Sequence, residues 1–187
     1  MWWRDRGDVS SLIRLAAAIA IAGTAAACFQ PLYGERTLAG GVPLRDVMAA
    51  VDVVQIDAPK GSPLSRIAVE TRNELVFELT GGSGPAPHTH RLVIRLAPST
   101  AILIVDPTSQ RNEYENFGLD ANYTLVEIVN NKQVVNGFAT TRVTYTVPGL
   151  QQRFTKARAA RDAETRAAKL IADQIRTRLA SYFVAGT

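Results

Sequence analysis

The chain has 187 residues, of which 47% are hydrophobic and 20% are charged, a balance typical of a folded domain rather than a disordered segment. Its formal net charge of +4 is small and spread along the chain, so it does not point to nucleic acid as a partner. The sequence contains one cysteine, which excludes an internal disulfide and leaves the fold dependent on its hydrophobic core.

The first 27 residues have the features of an export signal. Three arginines, Arg4, Arg6 and Arg14, precede an uncharged apolar run from Leu15 to Ala27. A membrane-spanning helix needs about 20 apolar residues, so this run is too short for one and suits the hydrophobic region of a cleaved signal. We therefore predict that residues 1–27 are a lipoprotein signal peptide.

The lone cysteine, Cys28, directly follows the small residues Ala25, Ala26 and Ala27. An ordinary signal peptidase could cleave after this pattern. The same residues are also similar to the lipobox of bacterial lipoproteins, with Ala25 in place of the usual leucine. In the lipoprotein pathway the thiol receives diacylglycerol and the new amino terminus an N-acyl chain, and several acyl chains anchor a protein firmly. We predict that Cys28 carries these lipids and that the protein has no other cofactor.

The chain behind Cys28 begins with residues 28–48, whose glycines and prolines predict a tether rather than a regular element. Residues 49–187 form the predicted domain, which opens with a short strand, Val51 to Ile56. A helix follows, with Ser62 suited to the N-cap and a proline to the first helical position. Apolar residues then recur at spacings of three and four until a glycine pair ends the helix.

The apolar period then changes to two, which predicts strands. The first runs from Leu92 to Val105, with a bulge or an edge position at Pro98, because proline donates no ladder hydrogen bond. The second has the clearest alternation, and its apolar face carries Phe117, Leu119, Ala121, Tyr123 and Leu125. A last strand, Val134 to Val147, completes an antiparallel meander.

The final third of the chain predicts one long helix, because no glycine or proline interrupts it from Arg153 to Phe183. Its start is open between Pro148 in a first turn and Thr155 as an N-cap. The order strand, helix, three strands, helix predicts an α+β two-layer sandwich, in which a four-stranded mixed sheet has two helices packed on one face.

No residue pattern indicates catalysis. His88 and His90 lie two residues apart in a connector without further apparent ligands, so no metal site is predicted. Ser83 lacks the frame of a nucleophile elbow. The carboxylates of the last helix lie among arginines and lysines, as on a solvated, ion-paired face. A secreted enzyme is therefore the least favoured class of function, and we predict no catalytic residues.

Several motifs occur in a characteristic order. Cys-Phe-x-Pro-Leu-Tyr-Gly follows the signal, "RIAVETRNEL" lies in the first helix, and "ANYTLVEI" precedes the central hairpin. Gly137, Ala139 and Tyr145 fit a pattern in the last strand, and "RDAETRAAKLIADQIRTRLASYF" ends the chain. Together with the β-α-β-β-β-α order, these stretches resemble the lipopolysaccharide (LPS)-assembly lipoprotein family, LptE, in its alphaproteobacterial form.

The resemblance implies a non-enzymatic role in the cell envelope. Family members are lipid-anchored to the inner leaflet of the outer membrane, on its periplasmic face. They plug and help to assemble the β-barrel translocon LptD, and they bind LPS during its export to the cell surface. Phe29 is compatible with outer-membrane sorting, since an aspartate there would favour the inner membrane. The alternative is a generic envelope lipoprotein with a structural or lipid-carrier role unrelated to LPS export.

Cationic residues at predicted turns suggest how LPS phosphates could be bound. Arg111 precedes the central strand, Lys132 lies in a hairpin, and Arg153 and Lys156 lie near the start of the last helix. A helix beginning near Thr155 would add free N–H groups beside Lys156. Charge-assisted hydrogen bonds from such groups attract phosphate, so we predict these four cations as ligands. Reversing the charges of Arg111 and Lys156 is expected to weaken LPS binding without unfolding the domain.

Overall fold

The computed structural model describes residues 42–84, 86–106, 111–146 and 153–185. All of them belong to one unit, Thr37–Thr187. Cys28, the predicted signal peptide and most of the predicted tether lie outside the described residues. Within the described part of the chain, none of the helices combines the length and the apolar character that crossing a membrane requires.

The described residues form three helices and four strands. In chain order these are α1 (Leu44–Ala49), β1 (Val51–Val53), α2 (Pro63–Thr80), β2 (His90–Asp106), β3 (Arg111–Glu127), β4 (Lys132–Thr146) and α3 (Arg153–Ala185). The predicted α+β class and the β-α-β-β-β-α order are confirmed, and α1 is an addition to them.

Helix α1 lies in the segment that the sequence predicted to be irregular. Pro43 precedes it in an extended conformation, and the Pro43 carbonyl accepts a hydrogen bond from the Asp46 N–H at 3.0 Å. Leu44 and Met48, four residues apart on the helix, are each only 5% exposed. Six residues are too few to form a stable helix alone, so packing against α2 and α3 stabilises α1.

The sheet has the order β1-β2-β3-β4 and is mixed, as predicted. β1 pairs in parallel with the start of β2, whereas β2, β3 and β4 form an antiparallel meander. Each apolar residue predicted for one face of β3 is buried. Helices α2 and α3 pack against each other, α3 packs on β3 and β4, and α2 contacts β1 and β2.

Helix α2 begins and ends as the sequence predicts. The Ser62 hydroxyl accepts a hydrogen bond from the Ser65 N–H at 3.2 Å, and Pro63 occupies the first position. Gly81 ends the helix with φ 61°, a left-handed conformation that glycine adopts without a steric penalty. In α3, Thr155 lies inside the helix, so the alternative that placed the N-cap there is wrong.

The two edges of the sheet differ in what lies beside them. On the side of β2 that pairs with β1, the Leu92 carbonyl accepts a hydrogen bond from the Val54 N–H at 3.0 Å. Alternate residues of a strand direct their backbone N–H and carbonyl groups to the same side, so every second residue from Leu92 faces this edge. Pro98 belongs to this set, and the edge position predicted there is confirmed. At the opposite edge, Thr140 pairs with a side chain: its N–H donates to Gln174 Oε1 at 3.3 Å, and its carbonyl accepts from Gln174 Nε2 at 3.1 Å.

Candidate functional site

One end of the sheet lies beside the start of α3, and we call it the distal end. It comprises the last residues of β2 and β4, the first residues of β3 and the first two turns of α3. Ile102 and Leu103 are sequence neighbours in β2, yet they are 56% and 50% exposed. The pairing of β2 with β3 becomes irregular directly after Ile102, and both side chains are exposed where the regular ladder ends.

The distal end exposes a set of large apolar side chains. Its described members are Ile102, Leu103, Val105, Tyr114 and Phe154. Phe154 is the extreme case, because 93% of its surface is accessible although it lies in a regular helix. Isolated exposed apolar residues are ordinary, but several at one end of a domain mark an interaction surface.

A buried carboxylate joins three elements at the distal end. Glu115 of β3 is 6% exposed, and its Oε2 accepts a hydrogen bond from the Tyr145 hydroxyl of β4 at 2.6 Å. Its Oε1 accepts from Lys156 Nζ of α3 at 2.9 Å. Burial, together with the Glu115 carboxylate, raises the pKa of Tyr145, so the phenol remains a protonated donor. Glu115 therefore fixes the start of α3 against the sheet.

The structure does not bring the four predicted phosphate ligands into one cluster. Lys132 begins β4, whereas Lys156 lies at the other end of that strand, so a strand length of roughly 45 Å separates them. Arg111 and Arg153 begin β3 and α3 at the distal end, and their side chains lie outside the described residues. Lys156 is at the distal end but already bonded to Glu115.

Reversing the charge of Lys156 would therefore place a second carboxylate against buried Glu115. Such a variant is expected to lose stability, so it cannot test phosphate contact separately from folding. Arg158 offers a cleaner cation, because it is exposed and pairs with no carboxylate among the described residues. It lies four residues after Phe154, on the same side of α3.

A comparison with protein families decides the identity of the chain. The model of the lipopolysaccharide-assembly family, LptE, matches residues 49–179, which is well over half of the sequence. The chain belongs to the LptE family. The predicted resemblance is thus confirmed, and the matched region runs from the end of α1 into the last turns of α3.

A solved structure shares the fold of this LptE-family chain, and a second one is similar to part of it. A candidate lipoprotein of Caulobacter crescentus is 18% identical, and the match covers 76% of this chain and 96% of that one with a TM-score of 0.57. The rare lipoprotein B of Shewanella oneidensis is 15% identical, with 70% and 93% covered and a TM-score of 0.48. No curated protein sequence matches the chain.

The two histidines of the LptE-family domain lie at the start of β2: His88 precedes the strand, and His90 is its first residue. His90 is half-buried, its ring lies 5.2 Å from that of Phe183, and its Nδ1 is 2.8 Å from the Thr89 hydroxyl. Burial lowers the pKa of His90, and the Glu127 carboxylate opposes this shift. His88 is exposed before the strand. Among the described residues, no three histidine, cysteine or acidic side chains come together as metal ligands.

The apolar part of the distal end is not evident from the sequence. The run Ala101 to Val105 predicts a strand, but a continuous apolar run does not show which of its side chains are covered. The exposure of this run depends on how much of β2 the helices α2 and α3 cover, and the sequence does not show that. A signal was present in Phe154, a large apolar residue that lies outside the helix's apolar stripe.

Proposed function

We propose that this chain is a non-enzymatic outer-membrane lipoprotein that binds LPS during export and plugs and helps to assemble an LptD-type barrel. Membership of the LptE family supports the general role in LPS assembly. The observation that carries the binding proposal is the distal end, where exposed apolar side chains adjoin cationic ones. An amphiphile with acyl chains and phosphates is complementary to both.

The energetics favour an amphiphilic ligand at the distal end over an ion. Burying a phenylalanine side chain stabilises a complex by about 1.5–3 kcal/mol, and Phe154 has almost its whole surface available for that. A charge-assisted hydrogen bond from Arg158 to a phosphate would add about 1.5–3 kcal/mol where water is excluded. Acyl contact and phosphate contact at the same end would then act together.

The binding proposal is tested by titrating LPS into the purified full chain and, separately, into its Phe154→Ser and Arg158→Gln variants. We expect each substitution to weaken LPS binding about tenfold, without a change in the free energy of unfolding, because both side chains are exposed. Phe77→Ser is the matched control: Phe77 is also helical and is 60% exposed, but it lies on α2.

A loss of affinity in the Phe77 control equal to that in the Phe154 variant would show that any exposed aromatic contributes, and would contradict a site at the distal end. Unchanged binding in both distal variants would have the same consequence. The role as a barrel plug has a separate test. The tagged protein should be isolated from native membranes together with an outer-membrane β-barrel, and isolation alone would favour the generic envelope lipoprotein.

The lipid anchor on Cys28 also remains a proposal, because Cys28 lies outside the described residues. Its support is the sequence pattern around Ala25 and the lipoprotein character of the family. Fatty-acid labelling of the chain should depend on this thiol. Continued labelling of a Cys28→Ser variant would refute the anchor but would leave the LPS-binding proposal intact.

A further inference from the structure

A cleft of about 500 Å³ lies between α2 and the connection that leads from β1 into it. It belongs to the flank of the domain that carries β1, and none of its lining residues is part of the distal end. Its lining combines polar side chains, among them Lys60, Arg72 and Asn73, with the apolar residues Ala68 and Val69. The cleft is therefore amphipathic.

Arg72 is held in place at this cleft. Its Nε donates a hydrogen bond to the Val53 carbonyl at 2.9 Å, and the side chain is half-buried. This bond engages one of the five guanidinium N–H groups and fixes the orientation of the others. Because the fork is fixed before a ligand arrives, little side-chain freedom is lost on binding.

The two cations of the cleft have no acidic partner. Neither Lys60 nor Arg72 forms an ion pair with any carboxylate of the described residues, and no acidic residue lines the cleft. Other described cations do find partners, among them Arg66 with Glu164 and Arg176 with Glu78. The cleft thus concentrates positive charge that the fold does not neutralise.

The rest of the lining restricts the class of anion. Val69 is 56% exposed and gives the lining an accessible apolar side chain, with buried Ala68 beside it. The volume falls within the range of about 300–1,000 Å³ that small-molecule sites occupy. Two cations favour a dianion, and a phosphate monoester carries a charge of about −1.5 to −2 at neutral pH, which exceeds that of a carboxylate.

We propose that this cleft binds a phosphate monoester that carries an apolar chain. The phosphate lies between Lys60 and Arg72, with the guanidinium donating two parallel hydrogen bonds, and the chain lies along Val69. The site is independent of the proposed binding of LPS at the distal end. Its failure would leave that proposal standing, and the reverse also holds.

The test is a nuclear magnetic resonance titration of the full chain with two probes, hexyl phosphate and inorganic phosphate. We expect hexyl phosphate to shift the backbone signals of Ala68 and Val69 and the side-chain amide of Asn73. We also expect it to bind about tenfold more tightly than inorganic phosphate, because the alkyl chain buries apolar surface. Equal affinities would overturn the apolar half of the site, and an absence of shifts would overturn the site itself.

Two variants separate this site from general charge attraction. Lys60→Gln is the deciding variant, because Lys60 is exposed, whereas Arg72→Gln also removes the bond to Val53. We expect it to weaken hexyl phosphate binding about tenfold. Arg178→Gln removes the same unit charge from an exposed position on α3 and should leave binding unchanged. An equal loss in both variants would overturn the proposal.

Discussion

Replacing Lys156 by glutamine should destabilise the domain, because it removes a cation that neutralises a buried carboxylate. The Glu115 side chain is 8% exposed and that of Lys156 is 48% exposed. Removing one partner of a fully buried ion pair costs about 3–5 kcal/mol, whereas an exposed pair contributes about 0–1 kcal/mol. With one buried member, this pair lies between the two cases, and we expect a loss of about 2 kcal/mol.

The matched variant Glu115→Gln should cost less, about 1 kcal/mol. It removes the buried charge itself, and the glutamine oxygen can still accept the hydrogen bond from Tyr145. In the Glu115→Gln background, Lys156→Gln should then have almost no further effect, because no carboxylate remains to be neutralised. The stabilities are measured by urea denaturation at neutral pH, followed by circular dichroism.

Simple addition of the two single losses in the double variant would contradict this coupling between Glu115 and Lys156. A larger cost for Glu115→Gln than for Lys156→Gln would contradict it as well. Either result would mean that the carboxylate is stabilised without its Lys156 partner, and that the start of α3 is fixed by other contacts. A Tyr145→Phe variant checks the hydrogen bond from the tyrosine hydroxyl, whose removal should cost about 1 kcal/mol.

Three further predictions concern other elements. Gly137→Ala should cost about 1–3 kcal/mol in urea denaturation, because a methyl group there would collide with the buried Tyr123 ring; in a Tyr123→Leu background the cost should largely disappear. Burial lowers the pKa of His90 below its ordinary 6.5, so as the pH falls the unfolded chain is protonated at this histidine before the folded chain is. Acidification through this pKa range should therefore reduce the free energy of unfolding. Thermal denaturation at several pH values should show a weaker decline for His90→Gln and an unchanged one for His88→Gln. Ser62→Ala should lower stability by about 1 kcal/mol through loss of the N-cap, read from the urea midpoint.

The sequence predicts the elements whose signals repeat along the chain. The alternation from Phe117 to Leu125 identifies both β3 and its buried face, since a shift of one residue would expose the whole apolar set. Ser62 and Gly81 mark the ends of α2 through local backbone chemistry, and the structure shows both caps. Such signals act between near neighbours, so no tertiary information is needed to recognise them.

The parts that the sequence does not predict depend on contacts between distant residues. Glu115 and Lys156 are 41 positions apart, and only the fold shows that they are partners. The wide separation of Lys132 from Lys156 likewise follows from the strand direction rather than from either residue's neighbours. Helix α1 is too short to show a periodicity, and its helical state depends on the burial of Leu44 in tertiary packing.

The two sheet edges have a consequence for self-association. An unpaired strand edge is a template on which another copy of a chain can add a strand, and repetition of that step produces fibrils. At the β4 edge, the Gln174 carboxamide occupies the Thr140 N–H and carbonyl as an incoming strand residue would. At the β2 edge, Pro98 offers no N–H to an incoming strand. Each margin of the sheet thus has a position at which an added strand could not form its full set of hydrogen bonds, while the distal apolar residues stay available to a ligand.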